Sequence, residues 1–355
     1  MDTKGIIQEH TKDKLELYRL YLERYLAVLL VQNFFREITI NDIFAGCGYA
    51  ENNEKGSALI AAEVISESLD KAQTNQKTIN LYLNDASEKN YLKLQEYLKG
   101  FSFASITNQA ADDLISQWVP GSDQTHNFFF IDPHGYSQIN GSNLKNLFSR
   151  GYSDFLIFVP IYHVYRFLRK ESYEEQLKPI ARFLSDLGID ETQATNSEDL
   201  EDFAELVRKA LAGLSGKEFC FKQMLKNTSS NSQYCLFFIS GNILGAEKFL
   251  DAQAKLKASK ELQQSFEFID RNDNRSKVLG ILSGGPYNNR QMYEQGIKAG
   301  LLSKQIGAEL KELENENRIK VEELPLAERK RKGFYVNYSS YTKDRFPKIT
   351  IELIS

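Results

Sequence analysis

The sequence predicts an α/β chain: a parallel sheet covered by helices, interrupted by a helical segment and followed by a small module of two helices and a hairpin. Three observations carry that prediction. Short β-branched or aromatic runs alternate with helix-patterned stretches from residue 10 onward. Two of those runs, Phe128-Phe129-Phe130-Ile131 and Phe155 to Val159, are apolar at consecutive positions, as strands buried on both faces are. Gly284-Gly285-Pro286 then breaks the chain before the pattern changes.

The elements follow in order. His10 to Gln32 sets Leu15, Tyr18, Leu22, Leu26 and Leu29 at spacings of three and four, an amphipathic helix. Ile38 to Phe44 is a strand that runs into the glycine turn Ala45-Gly46-Cys47-Gly48. A polar loop from Glu51 to Lys55 leads through Gly56-Ser57 to a helix over 58–72. Thr78–Leu83 is a strand and Ser87–Leu98 a helix with Ser87 as its cap. Phe103–Thr107, Ala110–Trp118 and Phe128–Ile131 continue the alternation. Residues 163–218 are charged and helical, an insertion, after which the sheet resumes at Tyr234–Ile239 and a charged helix covers 246–264. In the last part Asn289–Lys298 and Ser303–Glu316 read as helices, and Phe334–Tyr341 with Lys348–Leu353 as strands, the order of a winged helix. The expected domains are 1–162 with 219–280, the insertion 163–218, and the module 281–355.

Composition excludes several classes. The chain has 355 residues, with 42% hydrophobic and 12% aromatic side chains, too many for disorder. Mean hydropathy is −0.43, and no run of ~18 apolar residues is present, so no membrane span and no membrane partner is expected. Met1-Asp2-Thr3-Lys4-Gly5 lacks the order of a secretory signal, which points to the cytoplasm. Three cysteines and four scattered histidines give neither a disulfide framework nor a metal site. The net charge of −4 hides a division. Residues 281–355 hold 13 basic against 10 acidic side chains, +3, which leaves −7 for the first 280.

Three segments carry chemistry. In Asp42-Ile43-Phe44-Ala45-Gly46-Cys47-Gly48 the glycines let the backbone turn at the carboxyl edge of the sheet, where doubly wound folds bind nucleotides. The third glycine of the dinucleotide fingerprint is missing, and so is GxxxxGK[ST]. Asp85, at the end of the next strand, is placed either to accept ribose hydroxyls or to cap the helix near Ser87. Asp132-Pro133-His134-Gly135-Tyr136 sets a carboxylate and a proline at the tip of an apolar strand, either a turn or a site in which a carboxylate accepts N–H from an amine and Tyr136 stacks on a base. His134 is either a base or a spacer; Cys47 is better suited to filling a small space than to nucleophilic work.

Together, His10-Thr11-Lys12-x-Lys14-Leu15, Asp42-x-Phe44-Ala45-Gly46-x-Gly48, Gly56-Ser57 and Ile131-Asp132-Pro133-His134-Gly135 resemble the three-Cys-motif partner family, whose members look like S-adenosylmethionine-dependent methyltransferases. The resemblance implies a Rossmann-like class I methyltransferase sheet and S-adenosylmethionine as cofactor. Asp42, Phe44, Gly46, Gly48, Ser57 and Asp85 would serve the cofactor, and Asp132, Pro133, His134 and Gly135 the reacting amine. It also implies a separate cysteine-motif protein as partner. The adenine position falls near Gln109, a neutral acceptor where such enzymes commonly carry an acid. Arg329-Lys330-Arg331-Lys332, with tyrosines nearby, is either a solvated run or a grip on phosphates. The expected function is methylation of an amine on a nucleic acid, RNA favoured. The alternative is a binding protein that keeps the fold without catalysis.

Overall fold

The computed structural model describes residues 9–50, 52–117, 122–133, 135, 138–168, 174–226, 233–261, 271–325, 332–344 and 346–354. They divide after Gly245 into two compact units, 1–245 and 246–355.

The first unit runs α1 (Glu9–Leu29), β1 (Glu37–Asp42), α2 (Ser57–Ser66), α3 (Leu69–Thr74), β2 (Thr78–Asn84), α4 (Glu88–Leu98), β3 (Ala104–Thr107), α5 (Ala111–Gln117) and β4 (Thr125–Ile131). It continues with α6 (Gly141–Phe148), β5 (Ser153–Val159), α7 (Ile161–Leu168), α8 (Glu174–Leu187), α9 (Glu191–Thr195), α10 (Leu200–Ser215), β6 (Phe219–Lys226) and β7 (Gln233–Ser240). The seven strands form one sheet in the order β3-β2-β1-β4-β5-β7-β6. The pairs among β1 to β5 are parallel, whereas β7 runs antiparallel to both β5 and β6. The expected parallel sheet is therefore present, closed at one edge by a reversed hairpin. Its outer strand β6, Phe-Cys-Phe-Lys-Gln-Met-Leu-Lys, breaks the apolar alternation at Lys222-Gln223 and is not foreseen from the sequence.

Each face of the sheet is filled differently. On one, Phe129, Phe155 and Phe237 pack with Leu144 and Phe148 of α6, Phe183 and Leu187 of α8 and Phe203, Val207 and Leu211 of α10, so the charged helices after residue 163 bury their apolar stripes here. On the other, α1 lays a tyrosine row along β4. Tyr18 stacks on Phe130 with ring centroids 4.4 Å apart, Tyr21 meets Phe128 at 5.5 Å and Tyr25 meets His126 at 5.4 Å. The spacing of three and four keeps these rings on one side of the helix. The expected helix over 58–72 is two helices, α2 ending at Ser66 and α3 starting at Leu69; Ser68 between them turns its hydroxyl back to the Val64 carbonyl and makes no cap bond to α3.

The second unit carries most of α11 (Ile243–Glu261), then α12 (Arg271–Leu282), β8 (Tyr287–Asn288), α13 (Asn289–Lys298), α14 (Ser303–Asn315), β9 (Ile319–Glu323), α15 (Tyr338–Lys343) and β10 (Ile349–Leu353). Its three strands form an antiparallel sheet in the order β8-β10-β9. α13 matches the expected span because Asn288 accepts from the N–H groups of Arg290 and Gln291 while Gln291 returns a bond to Asn288, a capping box. The strand expected at Phe334–Tyr341 is absent. Lys332 and Tyr335 have φ of 52° and 55°, incompatible with extended chain, and Asn337 caps the short helix α15. The partner of β10 is instead β9, whose Ile-Lys-Val-Glu-Glu sequence reads as a charged tail. The acids of α14 are largely engaged: Glu309 is buried, and Glu312 and Glu316 pair with Arg275 of α12.

Candidate functional site

The sheet order reverses between β1 and β4: from β1 the chain moves outward to β2 and β3, then returns to lay β4 on the opposite side of β1. The carboxyl ends of such neighbouring strands leave a crevice, the general ligand position of open α/β sheets. The residues around it come from β1 and its turn, from the end of β2, and from the tip of β4.

The turn after β1 is held from below. Ala45 N–H donates to the Asn84 carbonyl at 2.9 Å, and Gly46 N–H donates to Asp85 Oδ2 at 3.0 Å. Gly46 and Gly48 have φ of 68° and 84°, the left-handed region that glycine enters without strain. A Cβ on Gly46 would meet nothing within 4 Å, so the turn has open space above it; one on Gly48 would lie 2.9 Å from the Tyr97 ring. Gly56 N–H closes the following loop onto the Gly48 carbonyl at 2.6 Å, and a Cβ on Gly56 would approach that oxygen to 3.0 Å. The loop between them is also tied to α1 by the Lys12–Glu54 ion pair. Phe44 is half-buried against the core, and the half-buried Cys47 turns its thiol to the Tyr49 carbonyl.

Asp42 lies beneath this turn. It is 1% exposed, its Oδ2 accepts from Ser57 Oγ at 2.5 Å, and its Oδ1 accepts from Phe44 N–H at 3.3 Å. Burial pushes its carboxyl up to about 7, the Ser57 bond opposes that rise, and the negative charge of Asp132 adds to it. Asp42 and Ser57 thus hold each other, and with them β1 and the start of α2.

At the end of β2, Asp85 uses both oxygens within the fold. Beyond Gly46 it accepts from Ser87 N–H at 2.8 Å and from Asn90 Nδ2 at 3.1 Å. Three of roughly four acceptor positions are filled. Ser87 sits at the N-cap of α4 but makes no side-chain cap bond; the Asp85 carboxylate takes its N–H instead. Asn84, to which the sequence assigns no role, stitches the edge together. It donates to the Ile43 and Gln109 carbonyls and accepts from Thr107 Oγ1 and Gln109 N–H. Gln109 is engaged through its backbone, and its side chain is exposed.

At the tip of β4, Pro133 is buried and Asp132 is half-buried. His134 and Tyr136 lie outside the described residues, as do Arg329, Lys330 and Arg331 of the basic run; Gly135 is half-buried and Lys332 exposed. The group missing from the sequence reading is the partner of Asp132. Lys14 Nζ of α1 forms an ion pair with Asp132 Oδ2, although 118 residues separate them. Lys14 stands in the opening segment as one lysine among several. Its position one turn before Tyr18 and two before Tyr21, on the stripe that faces β4, is the signal that would have singled it out.

A glycine turn at the switch point, clamped by the neighbouring strand and faced by a carboxylate at the next strand tip, sits in a sheet of order 3-2-1-4-5-7-6 with strand 7 reversed. This is the Rossmann-like methyltransferase fold. No family model and no curated protein sequence matches the chain. Among solved structures, the chain is similar to a Legionella pneumophila protein at 13% identity, covering 70% of this chain and 91% of that one with a TM-score of 0.43. It is similar to the DszA carbon methyltransferase at 14% identity, with 61% and 50% covered and a TM-score of 0.34. Spermidine synthase from Thermotoga maritima is matched at 11% identity, with 68% and 63% covered and a TM-score of 0.34. Among the described residues no helix is long and apolar enough to cross a membrane.

Gly46 offers an unobstructed turn, and Gly56 and Ser57 bring α2 to the same edge. The Tyr18 hydroxyl is wholly buried, without a hydrogen-bond partner among the described residues.

Proposed function

We propose that this chain is an S-adenosylmethionine-dependent methyltransferase that modifies an exocyclic amine of a nucleic acid, RNA in the first instance. The observation that carries this reading is Asp132-Pro133 at the strand tip next to a clamped glycine turn, across the switch point between β1 and β4. S-adenosylmethionine, when bound, supplies an electrophilic methyl group. The turn at Gly46 and Gly48 would cup its methionine end, and the remaining acceptor capacity of Asp85 would serve its ribose. Asp132 would accept an N–H of the amine and orient the nitrogen lone pair; as the N–C bond formed and the S–CH3 bond of the sulfonium broke, leaving a neutral thioether, it would take up the proton released from the amine. Acceleration comes mainly from holding the amine in line, since positioning alone is worth about 7–11 kcal/mol in favourable cases.

In this reading the chain is a three-Cys-motif partner protein that acts with a separate cysteine-motif protein, and its second unit is a winged helix. The order strand, two helices, then two antiparallel strands supports the latter. Lys348 lies 4.5 Å from the centroid of the Tyr335 ring, and Lys332, three residues before Tyr335 in the chain, is exposed, which supports a basic surface for phosphates.

A second reading rests on Asp85. Because its carboxylate already accepts three hydrogen bonds, a protein that retains the fold without binding cofactor would look the same at this position. Calorimetry with S-adenosylmethionine separates the two. The enzyme reading expects binding by the wild type and none by Gly46→Arg, and absence of wild-type binding overturns it. Transfer of a labelled methyl group to RNA, DNA or protein pools then identifies the substrate class, with Asp132→Ala expected to abolish transfer while keeping cofactor affinity.

A further inference from the structure

Lysine is rarely buried without a specific partner, because taking an ammonium out of water is costly. Lys14 is buried, with its side chain 8% exposed, and the Asp132 side chain it meets is 19% exposed. The ammonium is held on a second side by the Phe158 ring of β5, with 4.4 Å between Nζ and the ring centroid. Three elements thus converge on one cation: α1 supplies it, the tip of β4 pairs with it and the end of β5 covers it. The pair engages Oδ2 of Asp132; among the described residues, no hydrogen bond reaches Oδ1.

A second carboxylate lies within electrostatic reach. Asp42 feels both the negative charge of Asp132 and the positive charge of Lys14. Among the described residues, Asp42 of β1 is coupled to both members of the pair, and Tyr18 of α1 is coupled in turn to Asp42. A cation paired with Asp132 offsets the negative charge that Asp132 presents to Asp42.

We propose that Lys14 is a positioning residue for the strand-tip carboxylates: its ion pair fixes one oxygen of Asp132 and offsets the charge that Asp132 and Asp42 present to each other, leaving the second Asp132 oxygen to face the amine. The transfer half of this inference rests on the methyltransferase reading above; the charge-coupling half does not. Lys14 makes no bond to cofactor or amine in this scheme and moves no proton. It acts through Asp132.

The test compares wild type, Lys14→Met and Lys14→Arg. Met keeps the length and apolar stem of the side chain, and Arg restores the charge. Carboxyl NMR follows the titration of Asp42, which moves to higher pH in Lys14→Met and returns toward the wild-type midpoint in Lys14→Arg. Methyl transfer from labelled S-adenosylmethionine to total RNA gives a kcat lowered about tenfold or more in Lys14→Met, with KM for the cofactor within about twofold of wild type and partial recovery in Lys14→Arg. An Asp42 midpoint unmoved by Lys14→Met overturns the inference, as does a KM effect without a kcat effect. A wild type that transfers no methyl group to any pool overturns the methyltransferase reading instead, and the NMR arm still decides the coupling. If Lys14→Met does not fold, Lys14→Gln replaces it in both arms.

Discussion

The Gly46 amide points at the Asp85 carboxylate, 3.0 Å away, so that the end of β2 fixes the turn that follows β1. A ligand arriving above that turn meets a backbone already shaped. Asp85 is then as much a strut of the site as a contact within it.

Asp85→Ala frees the N–H groups of Gly46 and Ser87 and the Asn90 amide at once. Hydrogen bonds to a charged group are worth about 1.5–3 kcal/mol each, with losses only partly additive. The variant is expected to melt several degrees lower in calorimetry and to bind S-adenosylmethionine at least tenfold more weakly. Asp85→Asn, which keeps an acceptor, falls between.

Gly46→Arg and Gly46→Ala differ in an informative way. Both place a side chain at φ 68°, which costs roughly 1–2 kcal/mol for a residue that is not glycine. Neither is obstructed at the Cβ, since no atom lies within 4 Å of it. Both variants should therefore fold, with similar denaturation midpoints. Arg, which fills the open space, loses cofactor binding, whereas Ala retains most of it in titration calorimetry.

Asp42 gives the protein a defined pH dependence. Its carboxyl is raised in the folded state from the ordinary 3.8 to about 7, chiefly by burial. Between these values the folded chain binds the proton and the unfolded chain does not, so the contribution to stability is full below about 3.8 and is lost as pH rises through about 7. Urea denaturation over pH 4–8 is expected to show stability falling across this window by an amount that Asp42→Asn removes. Ser57→Ala deletes a bond that favours the charged form, so it moves the upper end of the window to higher pH.

Tyr21→Phe tests the middle of the tyrosine row. The Tyr21 hydroxyl donates to Asp154 Oδ2 at 2.8 Å, and Asp154 is 3% exposed. Removing the donor leaves a buried carboxylate short of a partner, at a cost of about 1–3 kcal/mol. The fall should appear in denaturation midpoints without change in cofactor affinity, because Asp154 stands at the start of β5, away from the carboxyl edge.

What the sequence makes legible, and what it hides, follows from how far each signal reaches along the chain. The capping box at Asn288 and Gln291 acts over three residues, and α13 is placed to the residue. The glycine turn and the apolar run before Asp132 are local signals too, and both stand at the strand ends where doubly wound sheets put their ligands. β9 and β6 escape notice because an edge strand exposes one face and carries lysines and glutamates that mimic a loop. Asp85 reads as a ribose acceptor or a cap; two of its three bonds are local, at the start of α4, and the third reaches a turn 39 residues earlier. The task of Lys14 is wholly non-local, since it is matched with a carboxylate 118 residues later. Periodicity tells which side of α1 faces inward, but not what it meets there.

The tyrosine row of α1 has a consequence for how the chain is made. Its hydrogen-bonded partners lie far ahead: Tyr25 waits 101 residues for His126, Lys14 118 for Asp132, and Tyr21 133 for Asp154. At about 5–20 residues per second of synthesis, the ribosome needs roughly 5–25 s to deliver the strands that cover it. For that interval the tyrosine face of α1 lacks its cover, while the flank that meets α2 and Glu54 is supplied much sooner. The tyrosine face of α1 is thus made long before it is sealed, and Lys14 meets its carboxylate and the Phe158 ring only when β4 and β5 are in place.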